Sequence, residues 1–222
     1  MTSSGIGTLN ESSLHAAIKD FLALPGDRFE VPLAGFVIDI VRGDELIEIQ
    51  TGSFGALGNK LDRLLGDHHI RIVHPIALET WIARPGKRTR KSPRHGSVLD
   101  LFAELTSLPT LLDHPNLTLE VLLIEEEQLR ESGRRGERKV MDRRLRAVRA
   151  WRRFEDLSDL AALLPVTLPR TWTTADLAEA AGITRRLAQS MAYCLHANEL
   201  IVELTRDRTG RTYTRDPASP RA

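Results

Sequence analysis

Cysteine is nearly absent from this chain: Cys194 stands alone among 222 residues. No intramolecular disulfide can form, and a thiolate zinc cluster is not expected, which fits a reducing interior. Flanked by Met191, Ala192 and Leu195, Cys194 reads as a small core residue. Long apolar runs are missing too. None approaches the ~18 residues needed to span a bilayer, and MTSSGIGTLNESS has no charged start followed by an apolar stretch. The expected location is the cytoplasm, with no membrane partner. No internal repeat is visible.

Net charge is also scarce, at only +1, but it is unevenly distributed. From Arg84 to Arg94 the chain carries Arg84, Lys87, Arg88, Arg90, Lys91 and Arg94 with no acid between them. Arginine again dominates from Arg134 to Arg153. Such runs serve either as solvated loops and helix faces or, beside a DNA-binding motif, as phosphate contacts.

With 222 residues, 41% of them hydrophobic, the chain can bury a real core, and two compact units are expected. Asn10 or Ser12 can cap a first helix through about Leu24, with Leu14, Ile18, Phe21 and Leu22 as its apolar stripe. Three strands are predicted in RFEVPL, FVIDIV and ELIEIQ, turning at Ala34-Gly35 and Gly43-Asp44. A helix over residues 56–66 and a strand IRIVHPIA, closed by Pro75, come next. After the basic loop, VLDLFAELTSLPTLL reads as helical and LTLEVLLIEEEQL opens as a buried strand. The pattern is a sheet carrying helices, an α/β class. Residues 1–132 form this unit, 133–155 a basic, partly helical connector, and 156–222 a second unit.

The hairpin FVIDIVRGDELIEIQ carries the chemistry. A two-residue Gly43-Asp44 turn pairs Arg42 with Glu45 and sets Asp39 opposite Glu48, with Gln50 on the face of Glu48. Directly opposed carboxylates, about 5 Å apart at Cβ, repel one another. The neighbouring Ile38, Ile40, Ile47 and Ile49 face the other way. A divalent cation would offset the repulsion and leave positions open for phosphate, as hard Mg²⁺ or Mn²⁺ does. The alternative is a solvent-facing surface screened by water and basic neighbours.

In order, the helix, the meander with Asp39 and Glu48-Ile49-Gln50, the next helix and the next strand resemble the restriction-endonuclease-like PD-(D/E)xK nuclease superfamily. The resemblance covers residues 11 to about 80 for the motif, and extends towards 130 for the domain. It implies a central mixed sheet flanked by helices, with Asp39 and Glu48 as metal ligands. Two positions depart from the pattern: Ile38 replaces proline, and Gln50 replaces the lysine that orients water and stabilises developing negative charge. Gln50 can hold water by hydrogen bonding, or Lys60 on the following helix supplies the displaced charge. The other reading of Lys60 is a solvated helix lysine. Glu11, at the start of the first helix, is either a further site acid or a favourable helix N-terminal charge. His68, His69 and His74 lack metal-ligand spacing and read as surface or core residues.

Beyond residue 155, LSDLAALLP, TTADLAEAAG and TRRLAQSMAYCLHANEL read as three short helices, the second capped by Thr173 with Asp176 and the third by Thr184. LIVELTRDRTGRTYTR then alternates as a two-stranded wing should. Together these segments resemble winged helix-turn-helix DNA-binding domains. The resemblance places Thr184, Arg185, Arg186, Gln189 and Ser190 on the groove-facing helix and Arg206, Arg208 and Arg211 on the wing. Protein contacts or dimerisation are the other use of such a module. The expected function is metal-dependent DNA hydrolysis targeted by this module, with a homodimer able to cut both strands. The alternatives are a non-catalytic DNA-binding regulator or defence component on a degenerate nuclease fold, and a protein directed at RNA.

Overall fold

A computed structural model describes residues 12–132, 138–207 and 210–215. Asn10, Glu11 and Arg208 lie outside the described residues.

Helix α1 (Ser13–Leu22) starts where Ser12 accepts a hydrogen bond from the His15 amide. Its buried side is Leu14 and Ile18, while Phe21, expected on the same stripe, is 51% exposed. A meander follows: β1 (Arg28–Leu33), β2 (Phe36–Arg42) and β3 (Glu45–Ile49). Its turns use Ala34-Gly35, both at positive φ, and Gly43 at φ +56. One 3-10 turn, Phe54–Ala56, leads into the short α2 (Gly58–Leu64). Then come β4 (His69–Arg84), β5 (Lys87–His95) and α3 (Leu101–Leu105). β6 (Leu117–Ser132) and β7 (Arg138–Phe154) follow, and with β4 they are the longest described elements.

These strands form one mixed sheet in the order β1-β2-β3-β4-β6-β7, with β5 also paired to β4. β4 runs parallel to β3 from His69 to Val73 and antiparallel to β5 from Glu79 to Arg84, so β5 takes over the edge that β3 leaves. This explains why Pro75 does not close the strand as expected. The Val73 carbonyl faces β3 and accepts from the Gln50 amide. Pro75, two residues on, points the same way into the gap between β3 and β5, where a missing N–H forfeits no ladder bond.

The two basic segments are strands rather than a loop and a partly helical connector. β5 covers most of the run from Arg84 to Arg94, and β7 pairs with β6 along nearly its whole length. Leu145 and Val148 of β7 pack inward and Phe154 is fully buried, so a few apolar positions suffice to seat an arginine-rich strand.

Each sheet face bears an apolar layer. Leu14 and Ile18 of α1 cover Ile40, Ile47, Ile49, Val73, Leu122 and Ile124. On the other face, Phe54, Leu61, Phe102 and Leu105 pack over Ile72, Leu119 and Val121. The segment expected to be one helix from Val98 to Leu112 is α3 between 3-10 turns, with Pro109 preventing continuation.

The remaining elements are α4 (Leu157–Ala161), β8 (Thr171–Thr173), α5 (Thr174–Ala181), α6 (Arg185–Ala197), β9 (Val202–Asp207) and β10 (Gly210–Thr214). β8, β10 and β9 make a second, three-stranded sheet. Thr173 and Asp176 form a capping box, Gly182 ends α5 at φ +63, and Thr184 caps α6. Trp172, Leu177, Met191 and Leu195 continue the core of the larger sheet. Asn198 donates to the Pro109 carbonyl at 2.6 Å, tying the end of α6 to the segment after α3. No helix among the described residues is long and apolar enough to cross a membrane.

Candidate active site

The β2–β3 register follows the turn: Arg42↔Glu45, Val41↔Leu46 and Ile40↔Ile47. One step further it would pair Asp39 with Glu48, but there the ladder opens. The Asp39 carboxylate enters the gap and accepts the Ile49 amide at 2.7 Å. Its other oxygen meets His15 Nε2 of α1 at 3.1 Å. On the far side of β2, the β1 ladder passes from Phe29↔Ile40 to Val31↔Ile38, and the intervening Glu30 adopts φ +51. Few non-glycine residues adopt that conformation. Lys19, one turn beyond His15, forms an ion pair with Glu30.

The irregular backbone also corrects the facing of Ile38. Ile40, Ile47 and Ile49 pack under α1 as alternation requires, whereas Ile38 joins Val41 and Leu46 in the layer on the opposite face. Strict period two fails at the residue beside Asp39 because both of its ladders are interrupted there.

Glu48 lies under α2. Its Oε1 accepts from Lys60 Nζ at 2.6 Å, and the same ammonium donates to the Val37 carbonyl at 2.8 Å. Both side chains are nearly enclosed, with Lys60 14% and Glu48 13% exposed. Lys60 is therefore no solvated helix lysine. Leu61 and Leu64 fix α2 to the sheet, and that packing turns the preceding residue towards the hairpin. Glu48 Oε2 is buried with no hydrogen-bond partner among the described residues.

The two acids are tuned in opposite directions. Burial pushes the Asp39 carboxyl up, but the His15 contact, the Ile49 amide and the charge of Lys19 outweigh it, leaving Asp39 below its ordinary value. For Glu48, burial and the negative charge of Asp39 prevail over Lys60 and raise the carboxyl above its ordinary value. Asp39 is the more readily ionised acid of the pair.

Gln50 follows β3 and has a different employment. Its side-chain amide donates to the Ser53 carbonyl at 2.5 Å, and its own carbonyl meets His74 Nδ1 at 2.7 Å. His74 is buried edge-on against Phe54, and burial holds its imidazole down at about 4, so it is neutral at physiological pH.

His15 and Lys19 escaped the sequence reading. They flank the Leu14–Ile18 stripe with helical spacing, a pattern that marks two cations at the border of the buried face. Among the described residues, no group of three histidine, cysteine or acidic side chains is gathered for a metal. Glu48 Oε2 is, among the described residues, the site oxygen left without a hydrogen-bond partner, and a carboxylate oxygen is the kind of donor a hard divalent cation takes.

In the C-terminal part, Arg185, Arg186 and Gln189 are exposed on the first turns of α6, while Ser190 is half-buried. The Thr184 hydroxyl is occupied as the helix cap, accepting from the Leu187 amide at 3.3 Å. Arg185, Gln189 and Tyr193 face a concavity shared with Arg211 and Tyr213. Arg206 is exposed on β9, and Arg211 contacts Glu203 at 3.2 Å.

Residues 12–155 match the family model for a domain of unknown function, DUF8091. An uncharacterized protein of Treponema pallidum (strain Nichols) is 33% identical over 185 residues, covering 78% of this chain and 74% of that protein. No solved structure matches. The sheet, α1, α2 and the residues around Asp39 and Glu48 all fall within the matched span, and the chain belongs to the DUF8091 family.

Proposed function

We propose that this protein is a divalent-metal-dependent nuclease acting on DNA, with Asp39, Glu48 and Lys60 as its catalytic group. In this reading the larger sheet is a restriction-endonuclease-like fold and the elements from α4 to β10 are a winged-helix module. The observation that carries the reading is the Lys60–Glu48 contact. An ammonium group from α2 stands at the acidic hairpin, in a chain whose expected lysine position holds Gln50.

Asp39 and Glu48 would hold Mg²⁺ or Mn²⁺, Glu48 through its unpartnered oxygen, with water and phosphate oxygens completing the shell. Bound there, the ion would polarise the scissile phosphate and lower the pKa of water. His15 keeps Asp39 ionised and oriented, as partners behind metal ligands do. Lys60 orients water and balances the negative charge that develops at phosphorus. Gln50 serves through its backbone and the turn that its side chain closes on Ser53.

In this reading the exposed Arg185, Arg186 and Gln189 of α6 meet base edges and phosphates, with Arg206 and Arg211 on the wing. Competition between duplex DNA and RNA separates the two substrate classes.

Calorimetric titration of Mn²⁺ into wild type, Asp39→Asn and Glu48→Gln tests the site. The reading requires one binding event that either substitution abolishes, together with Mg²⁺- or Mn²⁺-dependent cleavage lost in both variants. DNA binding with no metal uptake and no cleavage would instead establish the non-catalytic regulator or defence component.

A further inference from the structure

Beyond the gap at Pro75, β4 and β5 form a hairpin whose tip gathers positive charge. Arg84 and Lys87 are direct partners across it, and Ile82 faces Arg90. Ile82, Arg84, Lys87, Arg88 and Arg90 line a concavity of about 250 Å³ that contains no acid. Lys91, further along β5, is paired with Glu79, but none of the four lining cations has a carboxylate partner among the described residues. Arg84 Nη2 is buried without a hydrogen-bond partner among the described residues. Like charges opposed across a ladder are destabilising, and a buried unpaired guanidinium nitrogen costs more. An anion in the concavity would relieve both.

We propose that the β4–β5 hairpin tip is a phosphate-binding arm that grips duplex DNA about one helical turn from the acidic site. The length follows from β4 itself. Val73 pairs with Ile49 beside the acidic site, and Arg84 ends the same strand about eleven residues later, roughly 35 Å away. One turn of B-DNA covers about the same distance, roughly ten base pairs. A lipid surface is a poorer fit, because Ile82 is buried as the floor of the concavity and no large apolar side chain is exposed on the hairpin. The register of the grip to the cut rests on the nuclease reading; the phosphate binding does not.

The test is binding without catalysis. Fluorescence anisotropy in EDTA compares wild type with the combined Lys87→Ala, Arg88→Ala, Arg90→Ala variant on duplexes of about 10 and about 30 base pairs. Lys87→Glu alone checks the direction with less perturbation, and thermal melting confirms the fold of both. The arm predicts that the triple variant loses the affinity that wild type gains on the longer duplex. It also predicts a slope of log K against log salt that is shallower by about 2 to 3, one unit per lost phosphate contact. An unchanged slope and length dependence overturns the proposal, as does a preference of this hairpin for phosphatidylserine vesicles over duplex. Loss of binding in a protein that never cleaves would uphold the arm and sink the nuclease reading. Normal cleavage with unaltered variant binding would do the reverse.

Discussion

Lys60 Nζ lies 2.6 Å from Glu48 Oε1, and the ion pair joins the first full helix after the meander to the last strand of the hairpin. Because Glu48 is also raised by burial and by Asp39, its ionised form is a cost to the fold. That cost is absent at low pH, where the carboxyl is protonated in folded and unfolded chains alike. It develops as pH climbs from the ordinary value of 4.5 towards the raised folded value. The stability of Glu48→Gln relative to wild type is therefore expected to rise with pH from about 4.5 upward, against a constant loss from leaving Lys60 without its carboxylate. Thermal melts of both proteins from pH 4 to 8 check this, and a stability difference that does not move with pH, or moves against the variant as pH rises, contradicts it.

His15 acts on Asp39 with the opposite sign. A depressed carboxyl stabilises the fold above its ordinary value of 3.8 and loses that contribution as pH falls through the folded value. His15→Ala should raise the Asp39 pKa, measurable by carboxyl NMR titration. The stability gap between wild type and variant should be largest above pH 3.8 and should close under acid.

Gly96 sits against β4 so closely that a Cβ there would lie 2.3 Å from the Ala77 carbonyl oxygen. Backbone cannot yield as a flexible side chain does. Gly96→Ala should cost about 1–3 kcal/mol and loosen the start of the segment after β5. Gly66→Ala, with open space around it, is the matched control and should leave the melting temperature unchanged.

Cys194 is buried on α6 against the Phe102 carbonyl of α3, and burial pushes its thiol up to about 12. A thiolate is the reactive form. Disulfide exchange reagents at pH 8 should leave the native protein unmodified and label one thiol after denaturation. Rapid native labelling would show that the contact between α6 and α3 opens readily.

The local signals were legible. Ser12, Thr173 with Asp176, and Thr184 cap the helices the sequence suggested, and the Gly43-Asp44 turn set the register of the hairpin. What escaped depended on distant partners. β7 is a strand because β6 offers it a long ladder, yet its few inward residues, Leu145, Val148 and Phe154, are too sparse among arginines to announce one. Pro75 was read as a stop because nothing local reveals that β3 ends beside it. Asp39 and Glu48 were visible from the turn, but the opening of the ladder between them was not. His15 and Lys60 reach the site only through the packing of α1 and α2 on opposite faces of the sheet.

That packing supplies the decisive measurement, single-turnover cleavage of a labelled duplex with Mg²⁺ by wild type, Lys60→Ala and Gln50→Ala. If Lys60 is the cation of the site, Lys60→Ala should slow cleavage by about 100-fold or more while duplex affinity in EDTA is unchanged. Gln50→Ala, which removes only a side-chain contact to Ser53, should retain most activity. Cleavage by Lys60→Ala at the wild-type rate would contradict the account.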